Sequence, residues 1–214
     1  MIKKNLKTII ATSIITLSPV IIGLVLWEKL PEQIATHFNV NNEPDGYSSK
    51  AFVVFGLPLI MLGLHIICLL ATKADPKKKN FTDKNLRLVM WITPAISLLM
   101  SVLTYGYTLN SSIKTGTVII LFMGILFIII GNYMPKVKQN FSIGIKIPWT
   151  LADETNWYRT HRFAGKLWVL GGVVICLTAL LENYIILMVI TSVMALAPVV
   201  YSYAIRDKSG KSSQ

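Results

Sequence analysis

Thr8-Ile9-Ile10-Ala11-Thr12-Ser13-Ile14-Ile15-Thr16-Leu17-Ser18-Pro19-Val20-Ile21-Ile22-Gly23-Leu24-Val25-Leu26-Trp27 is a run of 20 residues without one ionisable side chain. Such a run reads as a helix that crosses a bilayer, which takes about 17–25 residues at 1.5 Å of rise each. Lys3, Lys4 and Lys7 precede it, as at the start of a secretory signal. The run exceeds the roughly 7–15 residues of a signal's apolar region and no small-x-small cleavage site follows, so it is read as a retained span. Five more blocks of this kind follow, at about 51–72, 88–109, 116–134, 167–181 and 184–205. The fifth is the shortest and gains length from residues 163–166; a tight polar turn, Glu182-Asn183, separates it from the sixth.

The composition agrees with this reading. The chain is 53% hydrophobic and 14% charged, against about a quarter charged in a soluble domain. The core to expect is therefore a helix bundle in lipid. The net charge of +11 would suit nucleic acid if it were gathered on one soluble face, but the cations lie between apolar blocks. Of 21 Lys and Arg, 18 fall in the N-terminal tail, in 73–87, in 135–166 and in the C-terminal tail, whereas Lys29, Lys50 and Lys114 alone occupy the alternate connections. The positive-inside rule puts the rich side in the cytoplasm. The expected fold is an all-α membrane protein, a bundle of six transmembrane helices with both termini cytoplasmic, and no direct nucleic-acid contact. Cys68 and Cys176 sit inside apolar blocks and are read as small buried hydrophobes. The C-terminal stretch 207–214 is short and polar and is read as a tail.

Catalytic signatures are missing. No span carries Asp, Glu, Lys or Arg away from its ends, which argues against an ion-coupled carrier that must hold charge at membrane depth. No HExxH, GxSxG, Walker glycine loop or clustered His/Cys ligand spacing occurs, so a membrane enzyme is the least favoured reading. His65 is an imidazole within a span. It is read as one side of an interhelical hydrogen bond, because an unpaired polar group in lipid is costly; Asn132 is read in the same way. Pro19, Pro58, Pro94 and Pro198 are read as packing kinks, and Gly171-Gly172 as a place of close backbone approach.

Two connections are long. One, 28–50, is polar and turn-rich, with Asn41-Asn42 and Asp45-Gly46. The other, 135–166, carries aromatics that argue against disorder. Neither shows obvious strands. In the second, Pro148 biases Ile147 to extended backbone. Thr150 and Asp153 resemble a capping box, so a helix is expected from Leu151 into span five. Asp153, Trp157, His161 and Gly165 then share one slowly drifting stripe. That stripe can contact a partner; equally, Trp149, Trp157 and Trp168 can be interfacial anchors, the reading that general physics favours.

The ordered residues Ile143-Gly144-Ile145-Lys146, Pro148-Trp149-Thr150-Leu151, Asp153-Glu154, Trp157 and His161-Arg162-Phe163-Ala164-Gly165-Lys166 resemble the SdpI family of bacterial membrane immunity proteins. Lys146 and Ile147 stand where that family often has Arg and Thr or Tyr. A second stretch, Leu30 to Asn39 followed by Asp45-Gly46-Tyr47-Ser48-Ser49-Lys50, resembles an uncharacterised membrane module that often precedes the SdpI motif. The implied organisation is an N-terminal two-helix module, 1–72, with external loop 28–50, and an SdpI-like four-helix region, 73–214, with cytoplasmic loop 135–166.

The resemblance implies a multi-pass protein of the bacterial cell membrane that gives resistance to a secreted membrane-active peptide toxin. It also implies signalling, by sequestering a cytoplasmic repressor protein. Its partners would be the lipid bilayer, the toxin outside and the repressor inside. The partner-binding residues would be Gly144, Lys146, Pro148, Trp149, Thr150, Asp153, Trp157, His161 and Arg162, and the external loop would offer Pro31, His37, Asn39, Asp45 and Gly46. The alternative reading is a passive transporter or lipid-modulating protein with a wet path lined by His65, Asn132 and the span prolines.

Overall fold

The computed structural model describes residues 2–39, 41, 43–110, 113–181 and 184–206. The expected turn at Glu182-Asn183, Asn42 and the tail 207–214 lie outside the described residues. Among the described residues six helices are long and apolar enough to cross a membrane. The protein is an all-α, six-span membrane protein of the multi-pass kind. The long helices are α1 (Ile2–Val25), α2 (Leu57–Ala74), α3 (Asp83–Leu109), α4 (Thr115–Tyr133), α6 (Glu154–Thr178) and α7 (Tyr184–Ile205); a short α5 (Pro148–Ala152) precedes α6. Large apolar side chains stand exposed along them, such as Ile14 at 61% and Ile185 at 73%. Lipid covers such a surface as well as protein does. The same reasoning corrects Cys68, which is exposed on α2 and not buried.

The chain forms two compact units, Met1–Lys73 with Leu86–Thr115, and Ala74–Asn85 with Gly116–Gln214. In the first, polar side chains link the helices. Thr12 Oγ1 and His65 Nε2 lie 3.1 Å apart, joining α1 to α2, as expected of His65. Ser97 Oγ donates to the Thr16 carbonyl at 2.8 Å and Tyr105 OH to the Pro19 carbonyl at 3.2 Å. Pro19 has no N–H for the carbonyl four residues earlier; Ser18 Oγ donates to that oxygen, of Ile15, at 2.8 Å.

The connection expected to lack strands contains a hairpin. β1 (Gln33–Phe38) pairs antiparallel with β2 (Pro44–Ser49), with Ile34 opposite Ser48, Ala35 opposite Tyr47 and His37 opposite Gly46, and irregularities between Ala35 and His37 and between His37 and Phe38. Ile34 is buried with Leu30, Val53, Val54 and Tyr105, so the hairpin is seated on the helix ends. Lys50 is also buried. Its Nζ donates to the carbonyls of Leu30 at 3.2 Å and Trp27 at 3.4 Å, meets Glu32 at 2.9 Å and lies 4.8 Å from the Trp27 ring centre. A cation there complements the carbonyls at the C-terminal end of α1 and the turn that follows it.

In the second unit α4 and α6 touch backbone to backbone. A Cβ on Gly131 would lie 2.9 Å from the Gly165 carbonyl, and one on Gly172 would lie 2.6 Å from the Gly124 carbonyl. Only small residues permit this approach. Gly171, on the neighbouring face, meets Met194 of α7. Pro198 leaves the Met194 carbonyl without its helical donor, and Trp168 Nε1 donates to it at 2.8 Å. Trp168 is thus committed to mending a kink.

Candidate functional site

Residues 134–153 form an irregular loop that is specified almost entirely by side chains bonded to backbone. After α4, the turn Met134–Lys136 leads into extended chain. Asn140, buried, accepts from the amides of Ser142 at 2.9 Å and Ile143 at 2.7 Å and donates to the Lys138 carbonyl at 2.8 Å. This Asx-type turn gives irregular backbone the partners a ladder would otherwise supply. Gln139 Nε2 donates to the carbonyls of Thr150 and Leu151, at 2.8 and 2.9 Å, at the end of α5. Its Oε1 accepts from Lys77 Nζ. Asp75, buried, accepts from the Phe141 amide at 2.8 Å, the Ser142 hydroxyl at 2.6 Å and the Lys77 amide at 2.7 Å. The segment before α3 is thereby pinned to the loop.

The helix boundary differs from the expectation. Asp153, extended at φ −133°, is the N-cap of α6, its carboxylate accepting from the amides of Thr155 at 3.0 Å and Asn156 at 2.9 Å. Thr150 is not the cap. Its hydroxyl accepts from the Ile147 amide at 3.1 Å and donates to the Ile145 carbonyl at 2.7 Å, closing the turn around Pro148. Pro148 opens α5, where a missing N–H is harmless. Asp153 supplies acceptors for orphan amides, so α6 starts afresh at Glu154.

The stripe of α6 faces inward. Trp157 and His161 are 2% and 1% exposed. Their rings stack with centres 4.0 Å apart. Trp157 Nε1 donates to the Val137 carbonyl at 2.7 Å. His161 Nδ1 donates to the Trp157 carbonyl at 2.8 Å, and the Ile145 amide donates to Nε2 at 3.0 Å. Both ring nitrogens are thus used, which fixes the neutral Nδ1–H tautomer. Gly144 lies over the stack with φ of 115°; a Cβ there would run into His161 Nε2 and lie 3.1 Å from the indole. The left-handed backbone and the contact each require glycine. Trp149 and Asn156 reach α7: the indole donates to Ser202 Oγ at 2.6 Å, and the amide donates to the Ser202 carbonyl at 2.9 Å.

The structure therefore brings Gly144, Thr150, Trp157 and His161 into one packed knot, with Asp153 as the adjoining cap. Pro148, Lys146 and Arg162 stay exposed around it. Arg162 Nη1 donates to Tyr158 OH at 3.3 Å. In the hairpin, exposed His37 and Asp45 meet at 2.5 Å, and Gly46 lies against His37. Asn39 Oδ1 accepts from the Glu43 amide at 3.0 Å, while exposed Pro31 stands apart from that tip. Asp75, Gln139, Asn140, Asn156, Ser202 and Lys50 were not singled out from sequence. Asp75-Pro76 and the adjacent amides Gln139-Asn140, each just beyond an apolar block, are turn-forming types that could have flagged three of them. Among the described residues no three His, Cys, Asp or Glu side chains could share a metal ion.

Six spans, with one connection built as a hairpin and another as a side-chain knot, define a multi-pass cell-membrane protein of particular design. The model of the SdpI/YfhL protein family matches residues 136–202, from the turn after α4 to Ser202. That of a domain of unknown function, DUF1648, matches 14–62, which includes the hairpin and its seat. The chain is 32% identical over 206 residues to Immunity protein SdpI of Bacillus subtilis (strain 168), covering 94% of each. The chain belongs to the SdpI family. No solved structure matches it.

Proposed function

We propose that this chain is a membrane immunity protein that protects its cell from a secreted membrane-active peptide. The observation that carries this is end-to-end similarity, 94% of each chain, to a protein named for immunity. The proposed orientation follows the cations, with both termini, 73–87 and the 135–166 loop in the cytoplasm and the hairpin outside. In this reading 1–72 is a toxin-facing module, with Pro31, His37, Asn39, Asp45 and Gly46 on its loop, and 73–214 is the signalling region. The same protein would hold a cytoplasmic repressor at the membrane. Exposed Lys146, Pro148 and Arg162 would touch that repressor, while Gly144, Trp149, Thr150, Asp153, Trp157 and His161 set the shape that presents them. This role needs neither catalysis nor a cofactor.

The test is expression in sensitive cells challenged with a panel of membrane-active peptides. Survival and a retained membrane potential are expected for at least one peptide; equal killing with and without the chain across the panel refutes the proposal. Orientation is checked separately with single cysteines at Glu43 and Lys78 in a chain lacking Cys68 and Cys176. Only the first should react with an impermeant reagent on intact cells.

A further inference from the structure

Beside the knot, the second unit holds a cavity of about 530 Å³ whose lining includes Asn80, Lys136, Lys138, Gln139, Glu154 and Tyr158. We infer that this cavity binds the phosphate-bearing headgroup of an anionic phospholipid. Its charge is the first argument. Lys136 and Lys138 line it and are exposed, Lys77 Nζ bonds the lining residue Gln139, and Arg162 bonds the lining residue Tyr158. Glu154 is the carboxylate among the lining residues.

The wall is the second argument. Backbone carbonyls would normally repel an anion, yet four consecutive ones are already engaged by donors from within the protein. Asn85 Nδ2 donates to the Lys136 carbonyl at 3.4 Å, Trp157 Nε1 to Val137 at 2.7 Å, Asn140 Nδ2 to Lys138 at 2.8 Å and Asn80 Nδ2 to Gln139 at 2.7 Å. With those acceptors occupied, Lys136 and Lys138 outnumber the single carboxylate, Glu154, among the lining side chains.

Position is the third. The apolar run of α4 ends at Tyr133 and the lining begins at Pro135; Glu154, Trp157 and Tyr158 belong to the first turns of the next span. The cavity thus lies at the ends of two spans, the level at which headgroups and amphipathic rings meet. Basic pockets at such ends take anionic lipid headgroups, whereas a zwitterionic headgroup brings its own cation against the lysines.

The experiment uses the full chain, purified in detergent, with lipid occupancy read by native mass spectrometry. Phosphatidylglycerol should bind in preference to phosphatidylcholine. Lys136→Gln with Lys138→Gln should weaken that preference by about fivefold per lysine. Glu154→Gln should strengthen it, which keeps the inference testable if the double variant folds poorly. Equal binding of the two lipids, or a preference unmoved by both sets of variants, overturns it. Displacement of the lipid by an equal concentration of inorganic phosphate assigns the cavity to free phosphate and also overturns it. So does a double variant that keeps its lipid preference but no longer retains a cytosolic protein at the membrane.

Discussion

The hairpin at 33–49 and the loop at 134–153 both lie outside the apolar helix runs, yet they are held in opposite ways. The hairpin is a backbone ladder, irregular on either side of His37, seated by Ile34 and anchored by Lys50, with its tip exposed. The loop has no ladder, and beyond the backbone-closed turn at Met134–Lys136 it depends on particular side chains meeting particular backbone atoms. A ladder shares its stability among many equivalent bonds, so a single side chain at its tip matters little. A knot of unique matches leaves a buried group unpaired whenever one member is lost. The difference teaches where substitution should be tolerated, and four substitutions probe it in order of expected effect.

The largest effect is expected at Gly144. Alanine there must adopt a left-handed backbone and push its Cβ into His161. Strain and overpacking together should cost about 2–4 kcal/mol, read as a lower thermal unfolding temperature in detergent and as new proteolytic cleavage within 137–147. Next comes Trp157→Phe, which keeps most of the stack but leaves the Val137 carbonyl without its donor. Loss of one buried hydrogen bond should cost about 1–3 kcal/mol. Were either variant as stable as the parent, the loop would not depend on single matches and the contrast would fail.

The third substitution lies at the hairpin's root. Lys50→Met removes the cation from the carbonyls of Trp27 and Leu30 and the partner of Glu32. The aliphatic stem can still pack, and Glu32 is already exposed, so a loss of about 1 kcal/mol is expected. Hydrogen exchange should rise in β1 and β2 and stay unchanged in 134–153. A rise in both places would show that the root supports more than the ladder above it.

The sequence made these two regions legible to different degrees. The six spans stood out because hydrocarbon thickness sets a length that few other segments reach. The hairpin did not, because Pro44-Asp45-Gly46-Tyr47-Ser48-Ser49 lacks the alternating apolar residues that mark a strand. Its pairing is decided by the burial of Ile34 on the helix ends, a tertiary fact. For the loop, the ordered motif pointed to the right residues, but their direction was hidden. Trp157 and His161 look like an exposed stripe as long as α6 is considered alone. They turn inward because the chain at 137–145 folds back over them, and the groups that meet them, the Val137 carbonyl and the Ile145 amide, are backbone atoms common to every residue type. Gly144, left-handed and lying over the stack, makes that fold-back possible. The start of α6 was misplaced because Thr150 and Asp153 are both good caps, and only the bonds each one makes decide between them.

His37→Ala should have the smallest effect, and it bears most directly on what the hairpin tip is for. His37 and Asp45 meet at 2.5 Å with side chains 73% and 44% exposed. An exposed pair of this kind contributes under about 1 kcal/mol, and the ladder on either side survives its loss. Unfolding temperature should therefore move little, in contrast to Gly144→Ala. If the tip meets a peptide outside the cell, protection should fall while stability holds. The reverse pattern, protection intact and the hairpin unfolded, would mean that His37 belongs to the framework and that the ladder is less redundant than its repeated bonds imply.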